Sequence, residues 1–232
     1  LQAGALRPWE GTGSYYEEPH LASFLGRVNY TYDDRYVLTV NARTDASSKF
    51  GANHKWGFFP SVSAAWNVSS EQFMKQITWI DNLKLRLGYG LAGNQGGIDS
   101  YTTMNLVRPN GVAPVGNSPV VTYETLRNIN PDLKWEVKHT FNAGFDVGFY
   151  GNRLLLSVNY YNSKTTDMLY NYRVSVPPFT YNTLLANIGS MRNSGTEISV
   201  GITPLKTKDM ELNINANITF QKNKLLSLNG MY

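Results

Sequence analysis

Apolar and polar side chains alternate from Thr140 to Tyr161, interrupted by a single Gly151-Asn152 turn. In the first arm Phe141, Ala143, Phe145, Val147 and Phe149 share one side, with Thr140, Asn142, Gly144, Asp146 and Gly148 on the other. In the second, Leu154, Leu156, Val158 and Tyr160 oppose Arg153, Ser157, Asn159 and Tyr161, and Leu155 is the one apolar residue on the polar side. A period of two predicts β-strands, and a Gly-Asn pair between two such runs predicts a tight hairpin. Each arm has about ten residues, the length of a tilted strand that crosses a bilayer.

The same pattern recurs along the chain. It predicts strands near Ala22–Tyr32, Tyr36–Arg43, Phe58–Asn67, Leu83–Gly90, Thr196–Ile202 and Leu212–Phe220, which with the central hairpin makes about eight. Pro60 counts against the third, since proline cannot donate to a ladder. Ser69-Ser70-Glu71-Gln72-Phe73 resembles a helix cap and first turn. Residues 1–20, with a Tyr-Tyr-Glu-Glu patch, read as a loop, and about Gly93–Lys138 and Thr165–Ser190 read as irregular. The strand-bearing region is residues 21–224, with 225–232 opening the next loop.

Where the charges fall narrows the fold. Arg27, Arg43, Lys84, Arg86, Asp146, Arg153 and Glu197 all take the polar side, and no arm carries a charge on its apolar side. At mid-bilayer a lipid-facing Lys or Arg costs roughly 2–4 kcal/mol. A soluble sandwich core would exclude charge as well, so this alone does not choose between them. The connections run short, long, medium, very long, short, long, short, as in a membrane barrel with tight turns at one end and long loops at the other. The Asn67–Asn82 connection is longer than that scheme expects. The fold predicted is all-β, an antiparallel transmembrane β-barrel segment.

Composition agrees. Charged residues make up 16% of the chain, against roughly 25% in soluble domains. Fifteen tyrosines against ten phenylalanines suit a boundary between water and hydrocarbon. There is no cysteine, which excludes disulfides and thiolate chemistry. The net charge of +4 is dispersed, without the basic, aromatic-interleaved cluster that nucleic acid requires. No apolar run reaches the roughly 18 residues of a membrane helix, and the first residues lack the features of a signal peptide. From Leu1 to the closing Leu-Asn-Gly stretch the sequence reads as a segment of a longer protein.

Several phrases resemble the SusC/RagA-like TonB-dependent outer-membrane transporters of Bacteroidota. They are GRVNYTYDDRYVLTVNART from Gly26, DASSKFG from Asp45, WGFFPS from Trp56, NLKLR from Asn82, YGLAGNQ from Tyr89, NPDLKWE from Asn130 and NIGSMRNSGTE from Asn187. Together they cover about residues 20–225, and Ala46 stands where the family pattern often has glycine. The resemblance implies a barrel of about 22 strands around an N-terminal plug, of which this chain supplies about eight. It contains neither a plug nor a TonB box. The resemblance further implies import of oligosaccharides or peptides, energised by the TonB complex through the plug region, beneath a SusD-like surface lipoprotein, in the outer membrane of a Gram-negative bacterium.

For the individual residues, Tyr30, Tyr32, Tyr36, Trp66, Tyr89 and Tyr160 are expected in the aromatic girdle. Loop residues Trp56, Tyr101, Tyr123, Tyr170, Tyr172 and Tyr181, with Asn94, Gln95 and Arg108, are candidates for contact with substrate or lid, packing within the loops being the alternative. Arg27, Arg43, Arg86, Asp146 and Glu197 are expected to line the lumen or touch the plug rather than select substrate. His20, His54 and His139 lie apart with no metal-ligand spacing, and no triad or nucleophile elbow appears. No enzyme activity and no cofactor is expected. The other readings are a carbohydrate-binding β-sandwich and a passive porin-type channel.

Overall fold

The computed structural model describes residues 16–51, 53–116 and 118–228. The loop expected at 1–20 falls mostly outside these, and its described part, 16–20, has no regular structure. Eleven strands follow. They are β1 (Leu21–Tyr32), β2 (Tyr36–Ser47), β3 (Trp56–Phe58), β4 (Ser61–Asn67), β5 (Ile80–Asn94), β6 (Val107–Val115), β7 (Ser118–Thr125), β8 (Glu136–Phe149), β9 (Leu154–Arg173), β10 (Thr183–Lys206) and β11 (Glu211–Ser227). One antiparallel sheet takes the order β1-β2-β4-β5-β8-β9-β10-β11, with β3 on β2, and β6 and β7 form a separate hairpin.

Every step of the large sheet joins strands consecutive in the chain apart from the inserted β3 and the β6–β7 hairpin, so alternate connections gather at the same end. At one end are 33–35, 68–79, 150–153 and 207–210; at the other are 48–60, 95–135 and 174–182. The long connections therefore segregate, and the 68–79 segment belongs with the short ones, as the length pattern required. It holds two 3-10 turns, Val68–Ser70 and Gln72–Gln76, and the second has no side-chain cap, so the helix cap expected there is not formed.

Register keeps the two faces separate across all eight strands. One row runs Tyr32, Tyr36, Trp66, Leu85, Phe145, Val158, Ile198 and Ile218, and another runs Tyr30, Leu38, Ala64, Leu87, Ala143, Tyr160, Thr196 and Phe220. A one-residue slip at any step would turn a whole strand over. Phe141 is 42% exposed, Leu87 56% and Ile214 51%. No second sheet covers this face among the described residues, which removes the sandwich reading.

Both stretches expected to be irregular contain strand, the second over most of its length. β5 runs to Asn94 and β8 starts at Glu136, with the β6–β7 hairpin between them. β9 extends to Arg173 and β10 begins at Thr183, so most of Thr165–Ser190 is ladder. Beyond the bilayer no lipid bathes either face, so hydrogen bonding continues while the alternation that reveals it fades. β11 likewise continues to Ser227. Pro60 lies between β3 and β4, where its missing N–H interrupts the strand and its carbonyl accepts from Leu91 N at 2.9 Å.

Candidate functional site

Two regions carry the chemistry. The first is the polar face of the sheet. Arg86, Gly144, Asn159 and Glu197 form one cross-strand row, with Lys84, Asp146 and Ser157 next to it. Arg86 Nε stands 2.8 Å from Asp146 Oδ2, and the hydrogen bond of the pair is made by Arg86 Nη2 to Asp146 Oδ1 at 3.0 Å. Ser157 Oγ donates to the same Asp146 oxygen at 2.6 Å, and Asn159 Nδ2 to Glu197 Oε2 at 3.4 Å. Nearer the long loops, Arg27 Nε donates to Asn41 Oδ1 at 2.6 Å and Asn41 Nδ2 to Ser61 Oγ at 2.9 Å. Arg43 pairs with Asp45 at 2.8 Å. All five residues expected to line the lumen thus share one face.

Small residues keep that face close-packed. A Cβ on Gly195 would come 2.6 Å from Phe220 O and 2.7 Å from the Tyr161 hydroxyl. One on Gly144 would come 2.8 Å from Val158 O.

The second region is the long-loop end, where Phe50, Phe59, Ile98, Leu133 and Trp135 form a buried cluster against Leu91, Val137, Leu169 and Leu185. Trp135 meets Phe50 at 4.7 Å and Phe59 at 5.6 Å between ring centroids, and its Nε1 donates to Lys55 O at 3.1 Å. Asparagines lace the loop to β10. Asn187 Nδ2 donates to the carbonyls of Lys134 and Asp167, while its Oδ1 accepts from Lys134 N. Asn128 Nδ2 donates to Tyr181 O and Thr183 O, and Asn130 Nδ2 to Leu185 O. A side chain on Gly51 would run into the Pro131 carbonyl. The phrases DASSKFG, NPDLKWE and NIGS, far apart in sequence, meet here.

The candidate contact residues scatter around this cluster. Asn94 Nδ2 donates to Glu136 Oε2 at 2.7 Å, and Glu136 Oε1 accepts from Leu169 N, so Asn94 helps fasten the loop. Gln95 has a buried Oε1 without a hydrogen-bond partner. Tyr101 takes a positive φ of 62° and its hydroxyl accepts from Glu18 N at 3.3 Å. Arg108 pairs with Glu124 at 2.6 Å on the β6–β7 hairpin, and the exposed Tyr123 is their neighbour there. Tyr172 lies opposite Leu184 near the top of β9. Trp56 sits on β3 on the face of Phe24, stacked on it at 6.2 Å. Tyr89 and His139 are joined at 3.1 Å on the apolar face.

Aromatic stacks mark the opposite, tight-turn end: Tyr32 on Tyr36, Tyr36 on Trp66, and Trp79 on Phe149. Trp79 escapes sequence reading because it stands in the connection, outside any alternation. The carboxylate of Glu71 gathers this end. It accepts from the Tyr36 hydroxyl at 2.8 Å, Trp66 Nε1 at 3.1 Å and Arg35 Nη1 at 3.1 Å.

The Tyr36 bond, then the Trp66 bond, hold the Glu71 carboxyl below its ordinary value of 4.5 despite its partial burial. A depressed carboxyl contributes stability that is present above the ordinary value and disappears as pH falls through the lowered one. Glu71→Gln is therefore expected to lower the melting temperature of the full receptor at neutral pH, with the gap to wild type closing below about pH 4. A gap that stays constant down to pH 3 would contradict this.

The family model described as "TonB dependent receptor-like, beta-barrel" matches residues 3–230. The chain belongs to this family. The TonB-dependent receptor SusC of Bacteroides thetaiotaomicron is 34% identical over 95% of this chain, and TonB-dependent receptor P26 of Formosa agariphila is 37% identical over 94%. Those alignments cover 24% and 22% of the two relatives, so the chain spans about a quarter of their length. A structure of the RagAB peptide importer in its closed-closed state superposes with a TM-score of 0.79 at 29% identity, covering 90% of this chain and 22% of that one. The siderophore receptor PirA of Pseudomonas aeruginosa, at 15% identity and a TM-score of 0.55, shares the fold. The large antiparallel sheet is part of a TonB-dependent barrel of SusC/RagA type in the outer membrane of a Gram-negative bacterium. The family is one of receptors and transporters, not enzymes.

Proposed function

We propose that this segment is wall and outer-loop scaffold of an active importer of large nutrients, oligosaccharides or peptides. TonB energises it through a plug region outside this chain, and a SusD-like surface lipoprotein caps it. The observation that carries the reading is the match of nearly the whole segment to both SusC and the RagAB peptide importer. The two faces fit the role, one apolar and bare, the other ion-paired and rich in asparagine and serine. In this reading Gln95, Tyr101, Arg108, Tyr123 and Tyr172, and Trp56 and Asn94 at the cluster's margin, contact substrate or lid from the loop end. Arg27, Arg43, Arg86, Asp146 and Glu197 face the lumen.

The test is uptake by cells carrying the full receptor gene, supplied with labelled oligosaccharide or peptide pools. Accumulation that disappears on deleting either the receptor or TonB supports active import. Accumulation that needs the receptor but survives loss of TonB would make it a passive channel.

A further inference from the structure

The apolar face changes character abruptly on β9–β11. The row Tyr160, Thr196 and Phe220 is the last of the apolar band. Two residues further toward the long-loop end, Asn162 and Ser194 stand beside Lys222; two further still, Lys164, Arg192 and Lys224 are direct cross-strand partners. His139 lies opposite Lys164 on the other side. Register is unbroken from the apolar band to this row on each strand, so the cations share the outward face with Phe220 and not the polar face with Glu197.

Lys164, Arg192, Lys222 and Lys224 are exposed, and none of their side chains takes part in an ion pair among the described residues. Side chains directly opposite on one sheet face have Cβ atoms about 4.5–5.5 Å apart, and like charges so placed destabilise the pairing. On the polar face of the same sheet Arg86 meets Asp146 and Arg43 meets Asp45. The arrangement calls for an external anion with several oxygens. It continues the lipid-covered band on the side of the long loops, which in such barrels faces outward from the cell. Whatever supplies the anion is therefore a neighbour of the lipid tails that cover Tyr160 and Phe220.

We propose that Lys164, Arg192 and Lys224, with Lys222 below them, form a binding belt for the phosphate groups of anionic glycolipids in the outer leaflet. Arginine in the middle of the row offers a planar fork to phosphate oxygens, and the flanking lysines add charge without fixed geometry. Asn162 and Ser194, one row closer to the membrane, are placed to hydrogen-bond the sugar to which such phosphates are attached.

The test uses the full-length receptor, purified in mild detergent and mixed with diphosphorylated lipid A, enzymatically dephosphorylated lipid A, or inorganic phosphate, with bound lipid read by native mass spectrometry. The receptor is expected to retain the phosphorylated lipid in strong preference to the dephosphorylated one, and inorganic phosphate at equal concentration should not displace it. Each cation removed should weaken retention about fivefold, so Lys164→Gln/Arg192→Gln/Lys224→Gln should lose about a hundredfold. Heat-modifiable gel mobility reports whether the triple variant folds, and Arg192→Gln alone serves if it does not. Equal retention by wild type and folded variant, or equal retention of both lipids, would overturn the proposal. Displacement by inorganic phosphate would overturn it too, by assigning the belt to a free anion.

Discussion

Leu87→Arg is expected to cost about 2–4 kcal/mol of barrel stability, whereas Ser63→Arg, one strand away on the opposite face, should stay within about 1 kcal/mol. Leu87 stands mid-way along the apolar run of β5, flanked across the sheet by Ala64 and Ala143, and is 56% exposed to whatever surrounds the barrel. If that surrounding is hydrocarbon, a guanidinium there loses its hydration and must snorkel or thin the bilayer to regain it. Ser63 pairs with Gly88 and Thr39 on the polar face, where Arg27 and Arg86 already find partners. Folding the full receptor into lipid vesicles over a denaturant series measures both variants. Equal costs would mean that lipid does not cover the Leu87 face. The comparison isolates the environment because the residue introduced is the same and the two sites lie on neighbouring strands of one sheet.

The same contrast explains how much could be read from the sequence. Within the bilayer one face meets lipid and the other water or protein, so each strand must alternate, and Tyr36–Arg43 and Thr140–Tyr161 declare themselves. Arg27, Arg43, Arg86, Asp146 and Glu197 could be placed together for that reason alone. Above the bilayer the constraint vanishes. Val107–Val115, with Pro109, Gly111 and Pro114 inside it, pairs with Ser118–Thr125 as a free-standing hairpin that periodicity cannot reveal. Likewise, Asn128 and Asn187 do their work through main-chain groups of distant loops, a role no local pattern encodes. Asn94 illustrates the limit. Its position in a long Gly-rich loop suggested ligand contact, but gave no sign that its amide also donates to Glu136, an acid that only the β5–β8 pairing brings within reach.

Leu133→Ala should damage the outer loops while sparing the wall. Leu133 is 0% exposed, at the centre of the cluster made by Phe50, Phe59, Ile98 and Trp135. Truncating such a side chain typically costs about 2–5 kcal/mol, through lost transfer energy and the cavity left behind. Strands in the bilayer are held by their ladders and by the lipid around them, neither of which Leu133 touches. The loss therefore falls on the segment from Gln95 to Trp135, which this cluster and the asparagine contacts from Asn128, Asn130 and Asn187 hold against the sheet. Protease added outside intact cells is expected to cut the variant within this segment and leave the wild type whole. Heat-modifiable mobility of the barrel should be the same for both. Asn187→Ala, which frees the carbonyls of Lys134 and Asp167 at the same place, should expose the segment in a similar but milder way. If Leu133→Ala instead lowers the unfolding temperature of the whole barrel, the cluster is a keystone of the wall and the loops are not an independent layer built upon it.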